Sequence, residues 1–282
     1  MIGGRDDRIL LSTRMLAACI VPFLLVAFAG LSLFPSSTGS WFAWDVRPSM
    51  TPLLMAAGYL AGAYFFIRVL TERRWHRVHL GFLPITAFTL FLGIATLSHL
   101  DRFEHDHVAF WVWTGLYLTT PVLVPLVWWR NRATDPGALE PNADLALPRG
   151  VRALLLVAGV VQSAIAAVLL LSPPTMIAIW PWQLTPLTAQ VLGGWFALPG
   201  VVALAMALDG RSSAIRITLQ SQVIGIALIL IGAARAWSDF HTDNPLAYVF
   251  VGGLGLLLVG LVALDLGTQR MRRQASARVA HP

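Results

Sequence analysis

Eight stretches of about twenty residues, nearly free of charge, run through this chain at 15–34, 51–70, 79–98, 108–129, 152–172, 187–208, 216–236 and 246–267. As α-helices, runs of about that length match the ~30 Å hydrocarbon core of a bilayer. Lipid offers the backbone no hydrogen-bond partners, so a spanning segment must close its own N–H and C=O groups, which a helix does. Of the 282 residues, 57% are hydrophobic and only 12% charged. That charge content is about half the usual ~25% of soluble domains, and disorder would need the opposite composition. The expected fold is an all-α integral membrane protein of eight transmembrane helices, with no sizeable soluble domain.

All twenty basic residues are arginine. With the N-terminus inside, Arg5, Arg8, Arg14, Arg68, Arg73, Arg74, Arg77, Arg130, Arg132, Arg149, Arg152, Arg211, Arg216, Arg270, Arg272, Arg273 and Arg278 face the cytoplasm. Only Arg47, Arg102 and Arg235 are left outside, a split of 17 to 3. This positive-inside bias places both termini in the cytoplasm, in the inner (plasma) membrane. It also accounts for the net charge of +6 without a nucleic-acid partner; anionic headgroups are the natural neighbours. Ala27-Phe28-Ala29 before Gly30, behind basic residues and an apolar core, has the pattern of a secretory signal and its cleavage site. The full length of the first run, and a counterpart later in the chain, argue for a retained span. The single cysteine, Cys19, permits no intrachain disulfide.

Shifted by 138 residues, the chain falls on itself without a gap from 14 to 132. Arg14 meets Arg152, Pro35 Pro173, Trp44 Trp182, Pro48 Pro186, Gly62 Gly200, Arg73 Arg211, Asp101 Asp239, Gly115 Gly253 and Arg132 Arg270. Leu and Ala matches mean little in so apolar a chain, but Trp, Pro, Asp and Arg in one register imply a tandem duplication of a four-helix unit. The expected organisation is 1–132, a cytoplasmic linker 133–151 rich in Pro, Asp, Asn and Gly (Asp135-Pro136-Gly137, Pro141-Asn142), 152–270, and a basic tail 271–282. Four spans per unit leave both units in the same orientation, as parallel repeats about a pseudo-twofold axis along the membrane normal. Gly62 and Gly200 read as close helix packing. Trp41, Trp44, Trp180 and Trp182 read as anchors at the outer interface.

The outer face is the densest in chemistry-bearing residues. One turn carries Asp101, Glu104, His105 and His107, and its counterpart carries Asp239, His241 and Asp243. Glu104-x-x-His107 has a metal-ligand spacing, but it sits in a turn and is not repeated, so a solvated turn is expected and no metal is assigned. Asp101 and Asp239 are the only outer acids that recur at equivalent positions. Within the spans the polar groups are Gln162, Gln190, Gln220 and Gln222, with Tyr59, Tyr64 and several threonines in the first unit. No span has an ionisable residue at its centre, which disfavours ion-coupled pumping. Nucleophile-elbow, zinc-protease, phosphate-loop and dinucleotide motifs are all missing, so no catalytic residue and no cofactor is assigned.

Trp180-Pro-Trp182-Gln-Leu-Thr-Pro186-Leu-Thr188, with Leu100-Asp101-Arg102-Phe103, resembles a group of multi-span bacterial inner-membrane proteins from high-GC genomes. That resemblance implies an inner-membrane protein and brings neither an activity nor functional residues. The leading expectation is a non-catalytic protein that binds or translocates an apolar or weakly polar solute or lipid between its two repeats. A structural or accessory subunit of a larger membrane complex is the alternative, and an enzyme using the outer acid/His turns a lesser one. Reporter fusions test the topology. Those at 105 and 241 are expected outside, those at 75, 140 and 212 inside, and a cytoplasmic signal at 105 breaks the eight-span arrangement.

Overall fold

The computed structural model describes residues 6–138 and 144–280, with side chains as far as Arg270. Arg5, the linker's Pro141-Asn142 and the side chains of Arg272, Arg273 and Arg278 lie outside the described residues. The described residues form nine helices and no strand: α1 (Leu11–Leu33), α2 (Met50–Thr71), α3 (Phe82–Ser98), α4 (Val108–Asn131), α5 (Arg149–Leu171), the short α6 (Pro173–Ile177), α7 (Pro186–Asp209), α8 (Ser212–Arg235) and α9 (Pro245–Ala280). All but α6 are long and apolar enough to cross a membrane. Each of these eight overlaps one of the apolar runs.

Four helices sit inside and four outside. α2 packs on α8 and α3 on α7, while α1 covers α2, α4 covers α3, α5 covers α7 and α9 covers α8. The outer helices turn large apolar side chains away from the protein, among them Val26, Val122, Leu154 and Leu256.

Helix ends are closed by side chains from neighbouring elements, because the last four carbonyls and first four amides of a helix lack internal partners. The Arg14 guanidinium on α1 donates to the carbonyls of Leu70 and Glu72 at the end of α2. The Arg152 guanidinium on α5 donates to the carbonyls of Ala207 (2.8 Å) and Leu208 (3.3 Å) at the end of α7. A cation there also suits the negative end of the helix dipole. Upstream, Asp7 accepts the backbone N–H of His76 at 3.0 Å, and Asp144 accepts that of Ser213 at 2.8 Å. The described end of the 133–151 linker is therefore docked onto the start of α8.

The tryptophan expectation is corrected. Trp44, Trp180 and Trp182 are buried, and only Trp41 of the four is partly exposed. The connections that carry them fold inward beneath the turns after α3 and α8, held by Glu104 N–H to Ala43 O (2.8 Å) and His241 N–H to Pro181 O (2.9 Å). Trp44 then packs on Phe103 and Trp113, and Trp182 on Phe240 and Phe250.

At Gly200 the α5–α7 contact is backbone to backbone. A Cβ there would lie 2.7 Å from Ser163 Oγ and 2.9 Å from Ser163 N, and a rotamer change does not move the latter. Gly200→Ala is expected to lower stability in detergent by about 1–3 kcal/mol, the usual cost of overpacking. At Gly115 a Cβ meets nothing within 4 Å. Gly115→Ala is expected to be neutral or to stabilise by up to about 1 kcal/mol through helix propensity. Thermal melts of the two variants read the difference.

Candidate functional site

The acid/His turns do not converge. Glu104, His105, His241 and Asp243 are exposed. The imidazole nitrogens settle on backbone carbonyls, with His105 Nε2 2.9 Å from Leu100 O and His107 Nδ1 2.8 Å from Phe42 O. Among the described residues, no three His, Cys, Asp or Glu side chains are grouped to hold a metal ion. The two recurring acids also part company. Asp101 pairs with Arg102 (3.1 Å), both side chains above 70% exposed, an arrangement worth little. Asp239 Oδ2 accepts the Met50 N–H at 2.9 Å and so caps α2 from the other half. Position 188, the counterpart of Met50, is closed locally instead by a Thr185/Thr188 capping box.

A cavity of about 290 Å³ lies between the halves, bounded by α2, α3, α5, α7, α8 and α9. None of its described lining residues is charged. Such a volume is at the small end of ligand sites, which are commonly apolar with a few placed polar groups. Gln162 on α5 and Gln222 on α8 are two of those groups, neither side-chain amide making a hydrogen bond among the described residues, and the Trp195 indole N–H on the same wall is also without a partner there. The two hydroxyls on the wall are already satisfied, Ser221 donating to Ala61 O at 2.8 Å and Thr218 to Ile215 O at 2.9 Å. The other two glutamines hold helices together: Gln220 Oε1 accepts the Tyr64 hydroxyl at 2.6 Å, and Gln190 Nε2 donates to Leu170 O at 2.9 Å. The four sequence candidates thus divide into two that face space and two that bind helix to helix.

The indole of Trp195 separates this cavity from a smaller one of about 70 Å³ in the first half, and lines both. It lies across Gly58, where a Cβ would come within 2.1 Å of the ring. Tyr59, Phe88 and Tyr117 crowd the first-half side. Trp195 packs on Tyr59 (centroids 5.0 Å apart) and Phe88 (4.4 Å), and the Tyr59 and Tyr117 hydroxyls hydrogen-bond at 3.0 Å. Positions 138 residues further on hold Ala197, Ile226 and Gly255. Of these only Ile226 lines the larger cavity, at the position where the first half has the Phe88 ring.

On the face bearing the termini, a buried ion cluster joins the halves. Arg211 donates to Asp209 Oδ2 at 2.7 Å and Asp135 Oδ1 at 2.9 Å, and His79 Nε2 lies 3.1 Å from Asp209 Oδ2. Burial alone would push the Asp135 carboxyl up. Hydrogen bonds from Arg211 and the Gly137 N–H, with the Arg211 charge, outweigh it and hold the group below its ordinary value. Sequence reading missed this cluster. Arg211 stood out only as the partner of Arg73 in the repeat, and the other three members lie at separate helix ends and in the linker.

No protein-family model, curated protein or solved structure matches the chain.

Removing Arg211 strands two largely buried carboxylates, so Arg211→Met is expected to cost about 3–5 kcal/mol. Because the Asp135 pKa is lowered on folding, its contribution is present above the unfolded carboxylate value of about 3.9 and is lost as pH falls through the lower folded value. The melting temperature of the parent protein should therefore fall as the pH drops below about 4, and Asp135→Asn should flatten part of that fall.

Proposed function

We propose that the chain is a multi-pass inner-membrane protein with cytoplasmic termini, formed by tandem duplication of a four-helix unit about an axis along the membrane normal. In this reading it binds or passes an apolar or weakly polar solute or lipid in the cavity between its repeats, without catalysing a reaction. The membrane assignment is supported by eight long apolar helices and by the apolar side chains that the outer four present outward. In water such a surface would be an aggregation liability.

Several features recur at the 138-residue offset and support duplication. The Arg14 and Arg152 clamps act on equivalent helices. Isolated bridges Arg8–Arg74 and Ala146–Arg211 tie the two upstream segments to equivalent places. The α2–α8 and α3–α7 contacts also exchange with one another under the shift, as a twofold requires.

The observation that carries the functional reading is the uncharged cavity with two unpaired amides. Purification in mild detergent followed by native mass spectrometry tests it. A small molecule or lipid held in a fixed ratio, and lost from Ile226→Phe, which puts the first-half ring into the second half, is the expected result. A folded Ile226→Phe protein with an unchanged small-molecule inventory overturns it. A protein partner in fixed ratio with no small molecule would return the accessory-subunit reading.

A further inference from the structure

Resting on that reading, three features of the cavity narrow what occupies it. The first is charge. Among the described residues none of the lining side chains is ionisable, so a carboxylate, phosphate or ammonium entering it would have no counter-ion in a medium where an uncompensated charge is very costly. The second is the pair of amides. Each glutamine offers two donors and one acceptor oxygen, and in an apolar wall an amide without a partner is unfavourable. Carbonyl and hydroxyl groups satisfy both without bringing charge.

The third is access. α1 packs against α4 in the first half, whereas the equivalent helices α5 and α9 make at most a marginal contact. Residues of α5 and α9 line the cavity, Gln162 on one and Phe250, Gly253 and Leu254 on the other. Gly253 is at once part of the lining and exposed, so it marks the mouth. The two helices that flank it are outer ones, with exposed apolar residues such as Val157 on α5 and Leu256 on α9. On the first-half side the equivalent space is occupied by Tyr59, Phe88 and Tyr117 and shrinks to about 70 Å³.

We infer that the cavity takes one uncharged, lipid-soluble molecule per chain. Its carbonyl or hydroxyl groups are bound by the side-chain amides of Gln162 and Gln222, and it enters from the bilayer between α5 and α9.

The test uses the full chain in detergent, with monoolein as the neutral probe and oleate as its charged counterpart, bound stoichiometry and affinity being read by native mass spectrometry and titration. One monoolein per chain is expected, with oleate at least about tenfold weaker, a difference of 1.4 kcal/mol. Gln162→Leu and Gln222→Leu should each weaken monoolein by about five- to tenfold, one hydrogen bond's worth. Gly253→Trp should slow association several-fold, while Gly253→Ala should leave the melt unchanged, because a Cβ at that position meets nothing within 4 Å. Ile226→Phe should abolish binding, and should it fail to fold, the glutamine and Gly253 variants still decide the matter. Oleate binding as tightly as monoolein, with both lost in Ile226→Phe, would overturn the uncharged-ligand inference and leave the cavity reading standing. Monoolein binding that no variant changes would overturn both.

Discussion

The two halves are held by polar contacts at both ends and by two between α2 and α8, Tyr64 to Gln220 and Ser221 to Ala61, and the rest of the architecture follows from where those contacts fall. On one face the Asp239 carboxylate accepts the Met50 N–H and the Trp182 indole donates to Thr51 Oγ1 at 2.9 Å. On the other, Arg211 and Asp209 of the second half hold His79 of the first half and Asp135 of the linker. Groups left over at helix ends must find partners in any case, and here they find them across the junction. With orientation fixed at both ends and between α2 and α8, the remainder of the junction needs only apolar packing. It is therefore free to be incomplete, and the cavity occupies the part left unfilled.

Much of the helical frame was legible in the sequence, because an apolar run of spanning length has few alternatives to a helix. The eight runs and the observed helices overlap throughout, and the recurring Arg14 and Arg152 prove to do the same work at equivalent helix ends. The tryptophans misled for an identifiable reason. Tryptophan beside a turn is as compatible with burial under that turn as with a place at the interface, and only the backbone bonds from Glu104 and His241 decide between them.

The site was less legible. The acid/His turns drew attention through local density, but density along a chain says nothing about where ring nitrogens point, and those of His105 and His107 meet the backbone carbonyls of Leu100 and Phe42. The informative signal lay in mismatches within the repeat. Tyr59 against Ala197, Phe88 against Ile226 and Tyr117 against Gly255 are unremarkable singly. Only the fold shows that the three rings crowd the smaller cavity while, of their counterparts, Ile226 lines the larger one. In the same way Gln162 and Gln222 differ from Gln190 and Gln220 only by what each faces, which a one-dimensional pattern does not encode.

Under the proposed duplication, the Trp195–Gly58 contact has a historical meaning as well. In a symmetric pair of identical subunits, a residue near the twofold must tolerate its own copy, so two bulky side chains collide there and two small ones leave a gap. In this chain the neighbouring positions read Ala57-Gly58 in one half and Trp195-Phe196 in the other, a distribution of bulk that no identical pair can adopt. Covalent fusion lifts the requirement of self-complementarity. Once bulk has migrated to one half and space to the other, reversing either change alone would bring collision or collapse. The asymmetry is therefore held in place by mutual dependence, and the two halves are no longer interchangeable.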